Sequence, residues 1–206
     1  MNKTLFLAIG IFFTIAASVT GLVIVPNWQF QELKPVMKAT GLTYPEPYFG
    51  DAHKGREIYI SQGCIYCHSQ QVREKNYGGD IRRGWGNRRS VPRDYLFDRP
   101  HQLGTMRTGP DLANIGARQP STDWHALHLY DPQITSAGSV MPRFNYFFTE
   151  VRSDAATRPP GGAVKIPDGY RRNPDVKYIV PTERAVQLIT YLKRLNQSFP
   201  LPEANQ

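Results

Sequence analysis

Cys64 and Cys67 are the only two thiols in the 206 residues, and His68 follows directly. Cys-x-x-Cys-His is the pattern of covalent c-type haem attachment. Thiols at i and i+3 lie on one face of a helical turn, so both can reach the vinyl groups on one porphyrin edge. The next residue then aims its imidazole at the iron. Other chemistries fit the residues less well. A zinc site takes four ligands; there is no third cysteine, and His125 and His128 sit i, i+3 beside Trp124, a spacing that suits packing. A thioredoxin-like dithiol belongs among βαβ units, and the sequence has no convincing strand pattern. A disulfide between residues this close is strained and closes almost no loop.

An iron held by His68 needs a second axial ligand or keeps an open site. The candidates are Met37, Met106, Met141, His53, His101, His125 and His128. Met141 is preferred. It stands in "GSVMPRFNYF", after small residues and before aromatics, and Pro142 fixes the backbone next to it. A lone methionine is more often a core gap-filler; the need for a distal ligand favours the functional reading. Met106, in "GTMRTGPDL", is the alternative.

The elements that must position these residues begin with an anchor. Residues 4 to 25 carry no charge, and about 22 residues make roughly 33 Å of helix, enough for a hydrocarbon core of about 30 Å. The run exceeds the roughly 7–15 apolar residues of a signal peptide. Pro26 is expected to end it, with Trp28 and Phe30 at the interface. Lys3 ahead of the helix favours the N-terminus inside, which puts the rest of the chain on the periplasmic side of a bacterial inner membrane. The expected divisions are an anchor over 1–26, an extended tether over 27–50, a haem domain over 51–200 and a tail over 201–206. Within the domain, 150–181 reads as a Pro/Gly-rich insertion loop.

A helix carrying Ile58, Tyr59 and Gln62 leads to the cysteines, and residues 71–110 read as loop. A short helix lies between Ser121, a good N-cap, and Pro132. The last helix starts near Thr182, with Ala185, Val186, Leu188, Ile189, Leu192 and Leu195 as its apolar stripe. The fold class is therefore mainly α. The net charge of +8 includes Arg82, Arg83, Arg88, Arg89 and Arg93. An extracytoplasmic location speaks against nucleic acid. A solvated loop, anionic headgroups, haem propionates and an acidic partner patch remain open readings.

"GREIYISQGCIYCHSQQVR", "DYLFDRPHQLGTMRTGPDLANIGAR", "DWHALHLYDP" and "SVMPRF" occur in the order seen in a known family. They resemble the membrane-anchored monohaem cytochrome c subunit, subunit II, of cbb3-type cytochrome c oxidases. The resemblance covers roughly residues 48 to 145 and the anchor; the stretch from Thr157 to Pro181 does not share it. It implies a class I-like cytochrome c domain with long loops, holding one covalently bound haem c. Cys64 and Cys67 would attach the haem, and His68 and Met141 would ligate the iron. Pro110, in a Gly-Pro loop, would accept the proton of the proximal ring through its carbonyl. Arg107 would pair with a propionate, and Ser90 would lie near the catalytic subunit. No residue is implied to be catalytic in the chain itself. The resemblance implies an electron-transfer subunit, taking electrons from a donor cytochrome c and passing them to the catalytic haem–copper subunit among other membrane subunits. The alternatives are the cytochrome subunit of a nitric oxide reductase and, in another class, a haem ligand sensor or peroxidase.

Overall fold

The computed structural model of the chain describes residues 3–152 and 160–205. The first two residues, residues 153–159 of the expected insertion loop and the last residue of the expected tail lie outside the described residues. The chain divides into two units: residues up to Glu46 together with Pro92–Leu96, and Pro47–Val91 together with Phe97 onward.

In the first unit one apolar helix runs from Lys3 to Phe30, 28 residues with none buried. At 1.5 Å per residue it is about 42 Å long, enough to cross a membrane. It comprises α1 (Lys3–Val19), a π-helical stretch (Thr20–Ile24) and α2 (Val25–Phe30). Pro26 does not end the helix, contrary to the sequence expectation. Proline lacks an N–H and its ring crowds the preceding turn, which normally breaks an α-helix. Here the turn before it is widened: the Val25 N–H reaches back to the Thr20 carbonyl, and Pro26 falls in the first turn of α2. The segment read as a tether contains a small antiparallel hairpin, β1 (Val36–Met37) with β2 (Thr43–Tyr44). Lys38 pairs with Glu46 at 2.6 Å, and the Tyr44 hydroxyl donates to Asp94 at 2.5 Å.

The second unit is built on the crossing of α3 (Gly50–Ser61) with α6 (Glu183–Arg194). Thr182 caps α6, its hydroxyl accepting from the Ala185 N–H at 3.4 Å. Lys193 and Arg194 lie in the last turn, where the helix dipole favours cations. Ala185, Leu188, Ile189 and Leu192 face the core, whereas Val186, counted in the apolar stripe, is exposed. The two helices touch at Gly55. A Cβ there would stand 1.9 Å from the Gln187 carbonyl oxygen and 2.8 Å from Tyr191 Cβ. Tyr59 and Tyr191 meet edge-on next to it, with centroids 5.4 Å apart. Gly55→Val is therefore expected to cost about 3 kcal/mol, the upper end of overpacking, because backbone blocks the new side chain. Thermal melting of the holoprotein measures this, and an unshifted midpoint would mean that the helices do not meet there.

Between them lie α4 (Ile115–Arg118) and α5 (Thr122–Tyr130), the latter capped by Ser121, whose hydroxyl accepts from the Trp124 N–H at 3.2 Å. The absence of strands expected from sequence is corrected. β3 (Phe148–Arg152), β4 (Val164–Lys165) and β5 (Val176–Pro181) form a three-stranded antiparallel sheet in the order β3-β5-β4; β3 starts just before the expected insertion loop, and β4 and β5 lie within it. Val164, Ile166, Val176 and Ile179 are buried with Leu129, Tyr130 and Ile189 in one core. Each strand offers only one or two inward residues, too few for an alternation to show, and the Pro and Gly around β4 mask it.

Candidate functional site

α3 stops at Ser61, and Gly63 turns the chain with φ 70°, a left-handed conformation suited to glycine. A single turn follows, in which the His68 N–H reaches the Cys64 carbonyl at 3.0 Å and the Cys67 N–H the same carbonyl at 3.2 Å. This turn sets Cys64, Cys67 and His68 on the wall of one cavity of about 550 Å³. Cofactor sites commonly measure about 300–1,000 Å³ and are mostly apolar. Leu112, Ile115, Leu188 and Leu192 supply the apolar wall, and Pro110 and Met141 also line it.

The His68 ring is fixed from behind. Its Nδ1 lies 2.8 Å from the Pro110 carbonyl oxygen, so Nδ1 carries the proton and Nε2 is left for a ligand. Gly109 makes this possible: a Cβ there would sit 2.3 Å from His68 Cε1. Burial pulls the His68 pKa below its ordinary value, against the Pro110 bond, which keeps the ring in the neutral, ligating form. Burial also pushes the Cys64 thiol up to about 12, the neighbouring Cys67 adding to the shift after it.

The segments around His68 and Pro110 are joined like a zip. The Gly109 N–H donates to the Cys67 carbonyl at 2.9 Å, and the Leu112 N–H to the Ser69 carbonyl at 2.8 Å. Fully buried Asp111 accepts from the Ser69 hydroxyl and from the Gln71 N–H, both at 2.7 Å. Gln70 donates to the buried Tyr191 hydroxyl at 3.1 Å, tying the same strand to α6. The motifs "CHSQ" and "GPDL" are thus two halves of one lock.

Met141 packs against the core at the cavity wall, in the segment Ser136–Pro142 that lines it. Its N–H donates to the Ser139 hydroxyl at 3.2 Å, and the Phe144 N–H to the Leu129 carbonyl at 2.8 Å. Met106 is 55 % exposed and does not line the cavity.

Two sequence expectations change. Arg107 does not line the cavity. Its guanidinium is paired with Asp80, a carboxylate with no exposed surface, and stacks over Trp85 at 5.4 Å. Arg73 binds the same carboxylate at 2.8 Å through its backbone N–H, and these contacts hold the Asp80 pKa below its ordinary value although burial, the largest influence, raises it. Arg107 therefore closes the 71–110 loop on itself. In the arginine run Arg82 and Arg83 are exposed, whereas Arg88 and Arg89 turn inward. Arg88 donates to the Phe199 carbonyl at 2.7 Å and Arg89 to the Glu203 carbonyl at 2.5 Å. Ser90 accepts from the Val72 N–H at 2.9 Å and donates to Gln197 at 2.5 Å.

Arg118 is the residue that sequence reasoning missed. It lines the cavity; one guanidinium nitrogen donates to the Asp111 carbonyl at 2.6 Å, and its buried Nε has no partner. The available signal was a single cation closing the small, apolar run "LANIGAR" after the Gly-Pro turn. The donor set fits a haem: two thiols on one turn, a neutral imidazole with a fixed ring, a thioether, and a buried cation available to a carboxylate.

His125 and His128 reach the cavity wall too, held by packing. His128 stacks on Trp124 with centroids 4.7 Å apart and its Nδ1 lies 2.6 Å from the Thr135 hydroxyl. His125 Nε2 donates to the Gln119 carbonyl at 2.9 Å. Burial lowers the His125 pKa from 6.5 to about 4, the Gln119 bond opposing it. The unfolded chain thus binds this proton more readily than the folded one. The stability is complete above pH ~6.5 and is lost as pH falls towards ~4, by about 3 kcal/mol from this group. His125→Gln is expected to flatten that slope in denaturant titrations between the two values; an unchanged slope would refute the assignment.

The family model that matches the chain is described as cytochrome c oxidase, mono-heme subunit/FixO, and the match covers residues 1–166. It ends just after β4, so β5 and α6 lie beyond it. No curated protein matches the chain.

Proposed function

Because the chain belongs to the family of mono-haem cytochrome c oxidase subunits, we propose that it is the electron-entry subunit of a membrane haem–copper oxidase. In this reading the domain lies on the periplasmic side of a bacterial inner membrane, held by the Lys3–Phe30 helix. Electrons from a donor cytochrome pass to the catalytic subunit for O2 reduction. The observation that carries the reading is the convergence of Cys64, Cys67, His68 and Met141 on one apolar cavity, with the His68 ring set by Pro110.

Cys64 and Cys67 attach one haem c through thioethers. When bound, the haem supplies a one-electron site, and His/Met ligation gives it a high potential suited to an oxidase. His68 Nε2 and the Met141 thioether would hold its iron. Gly109 leaves room for the imidazole, and the Pro110 carbonyl holds its proton. Arg118 takes the propionate role that the sequence assigned to Arg107, through its unpartnered Nε. Arg118→Gln is expected to lower the reduction potential, since a cation near the iron favours the ferrous charge balance; spectroelectrochemistry reads it, and an unchanged potential refutes the role.

The proposal as a whole is tested by purifying the chain from its membrane in detergent. The catalytic subunit that copurifies should be a haem–copper oxidase. Reduced chain mixed rapidly with that subunit should be oxidised within its turnover time. A catalytic subunit that reduces nitric oxide and not O2 would redirect the assignment.

A further inference from the structure

Asp131 is 5 % exposed at the end of α5 and receives two arginines. Arg172 Nε donates to its Oδ2 at 2.9 Å, and Arg143 Nε lies 3.3 Å from the same oxygen. Its other oxygen accepts from the Gln133 N–H at 3.3 Å, capping the turn that leads into Ser136–Pro142. Arg143 follows Met141 by two residues and also lies over the Tyr130 ring at 5.3 Å. The Tyr130 hydroxyl in turn donates to Glu150 of β3 at 2.6 Å. Arg172 belongs to the segment between β4 and β5, past the end of the family match. A buried carboxylate thus joins the segment bearing Met141 to the segment between β4 and β5.

We infer that Asp131 is a positioning residue for the distal ligand, and that the segment between β4 and β5, through Arg172, holds the Met141 segment against the cavity. The inference rests on the reading of Met141 as ligand. The physical argument is the asymmetry of buried ion pairs. Removing the carboxylate leaves Arg143, whose Nε is buried, uncompensated, which favours conformations that rehydrate it, while the exposed Arg172 is hydrated in place. Here those conformations move Arg143, and Met141 with it, away from the wall. A ligand that competes for the iron then binds more tightly by the fraction of open segment gained.

The test is imidazole titration of the ferric, full-length holoprotein in detergent, with the far-red charge-transfer band of iron–thioether ligation recorded alongside. Asp131→Asn is expected to raise imidazole affinity by about tenfold or more, with partial loss of the band. Arg172→Gln, at an exposed position, should show a smaller rise of the same sign and tests the idea if Asp131→Asn does not fold. Asp131→Glu should restore wild-type behaviour. Asp98→Asn is the control for plain destabilisation, since Asp98 pairs with Arg56 at 2.6 Å and is also buried. It should lower the melting point without changing imidazole affinity. A wild-type protein lacking the band overturns the Met141 reading itself. A wild-type band, with imidazole affinity unchanged in Asp131→Asn and Arg172→Gln, overturns this inference alone. An equal rise in Asp98→Asn also overturns it, because it would make the effect one of general stability.

Discussion

Cys64→Ala and Cys67→Ala chains are expected to lose stable haem altogether and to disappear from the membrane. In the proposed function each cysteine supplies one of the two bonds that keep the group in place. The cavity they border measures about 550 Å³ and is walled by Leu112, Ile115, Leu188 and Leu192. Without the haem that apolar wall is left facing water, which forfeits part of the burial that holds a marginally stable fold together. The α3–α6 crossing also contributes to that wall through Tyr59, Leu188 and Leu192, so the void lies inside the helix packing. In the proposed function haem attachment and folding are therefore coupled. The check is a denaturing gel stained for haem, with immunodetection of the chain. Wild type should keep its haem through denaturation. A Cys64→Ala or Cys67→Ala chain that accumulates normally with haem still bound would contradict the attachment assignment.

The turn bearing Cys64, Cys67 and His68, the Gly-Pro loop and the capped helices α5 and α6 were legible because each rests on short-range chemistry. A Cys-x-x-Cys-His run, Ser121 and Thr182 as N-caps, and an apolar stripe at helical spacing all work within a few residues. What the sequence hid depends on distant partners. Arg107 and Arg118 are both arginines near the same loop. Only the position of Asp80 shows that the first is already paired and the second is the cation at the cavity. The arginine run suggested a surface for headgroups or partners, yet Arg88 and Arg89 end on carbonyls of the C-terminal segment more than a hundred residues away. The sheet was invisible because its strands are short and its inward residues few. Pro26 misled for a local reason: a π-helical turn accommodates a proline that an α-helical turn would reject.

Met141→His is the second large effect. A thioether stabilises ferrous iron, and a harder imidazole stabilises ferric iron. The reduction potential is expected to fall by a sizeable part of the roughly 0.8 V range that axial ligands span. Six-coordination is kept, so the protein stays folded and low-spin. Electron delivery to the partner should slow because the step becomes uphill. Met141→Ala should leave an open position that binds CO or cyanide. Met106→Leu, at an exposed position outside the cavity wall, should leave potential and spectrum unchanged. A potential that moves with Met106→Leu and not with Met141→His would reverse the assignment.

The central claim is a single haem held by His68 and Met141, poised for electron transfer and closed to exogenous ligands. Near-infrared magnetic circular dichroism of the ferric wild-type protein in detergent tests it most directly, because the charge-transfer transitions of low-spin iron differ with the axial pair. The account predicts one low-spin signal at the energy of imidazole–thioether ligation. A bis-imidazole signal would assign the distal position to one of the histidines, and a high-spin signal would mean an open site, the property of a sensor or peroxidase; either result contradicts it.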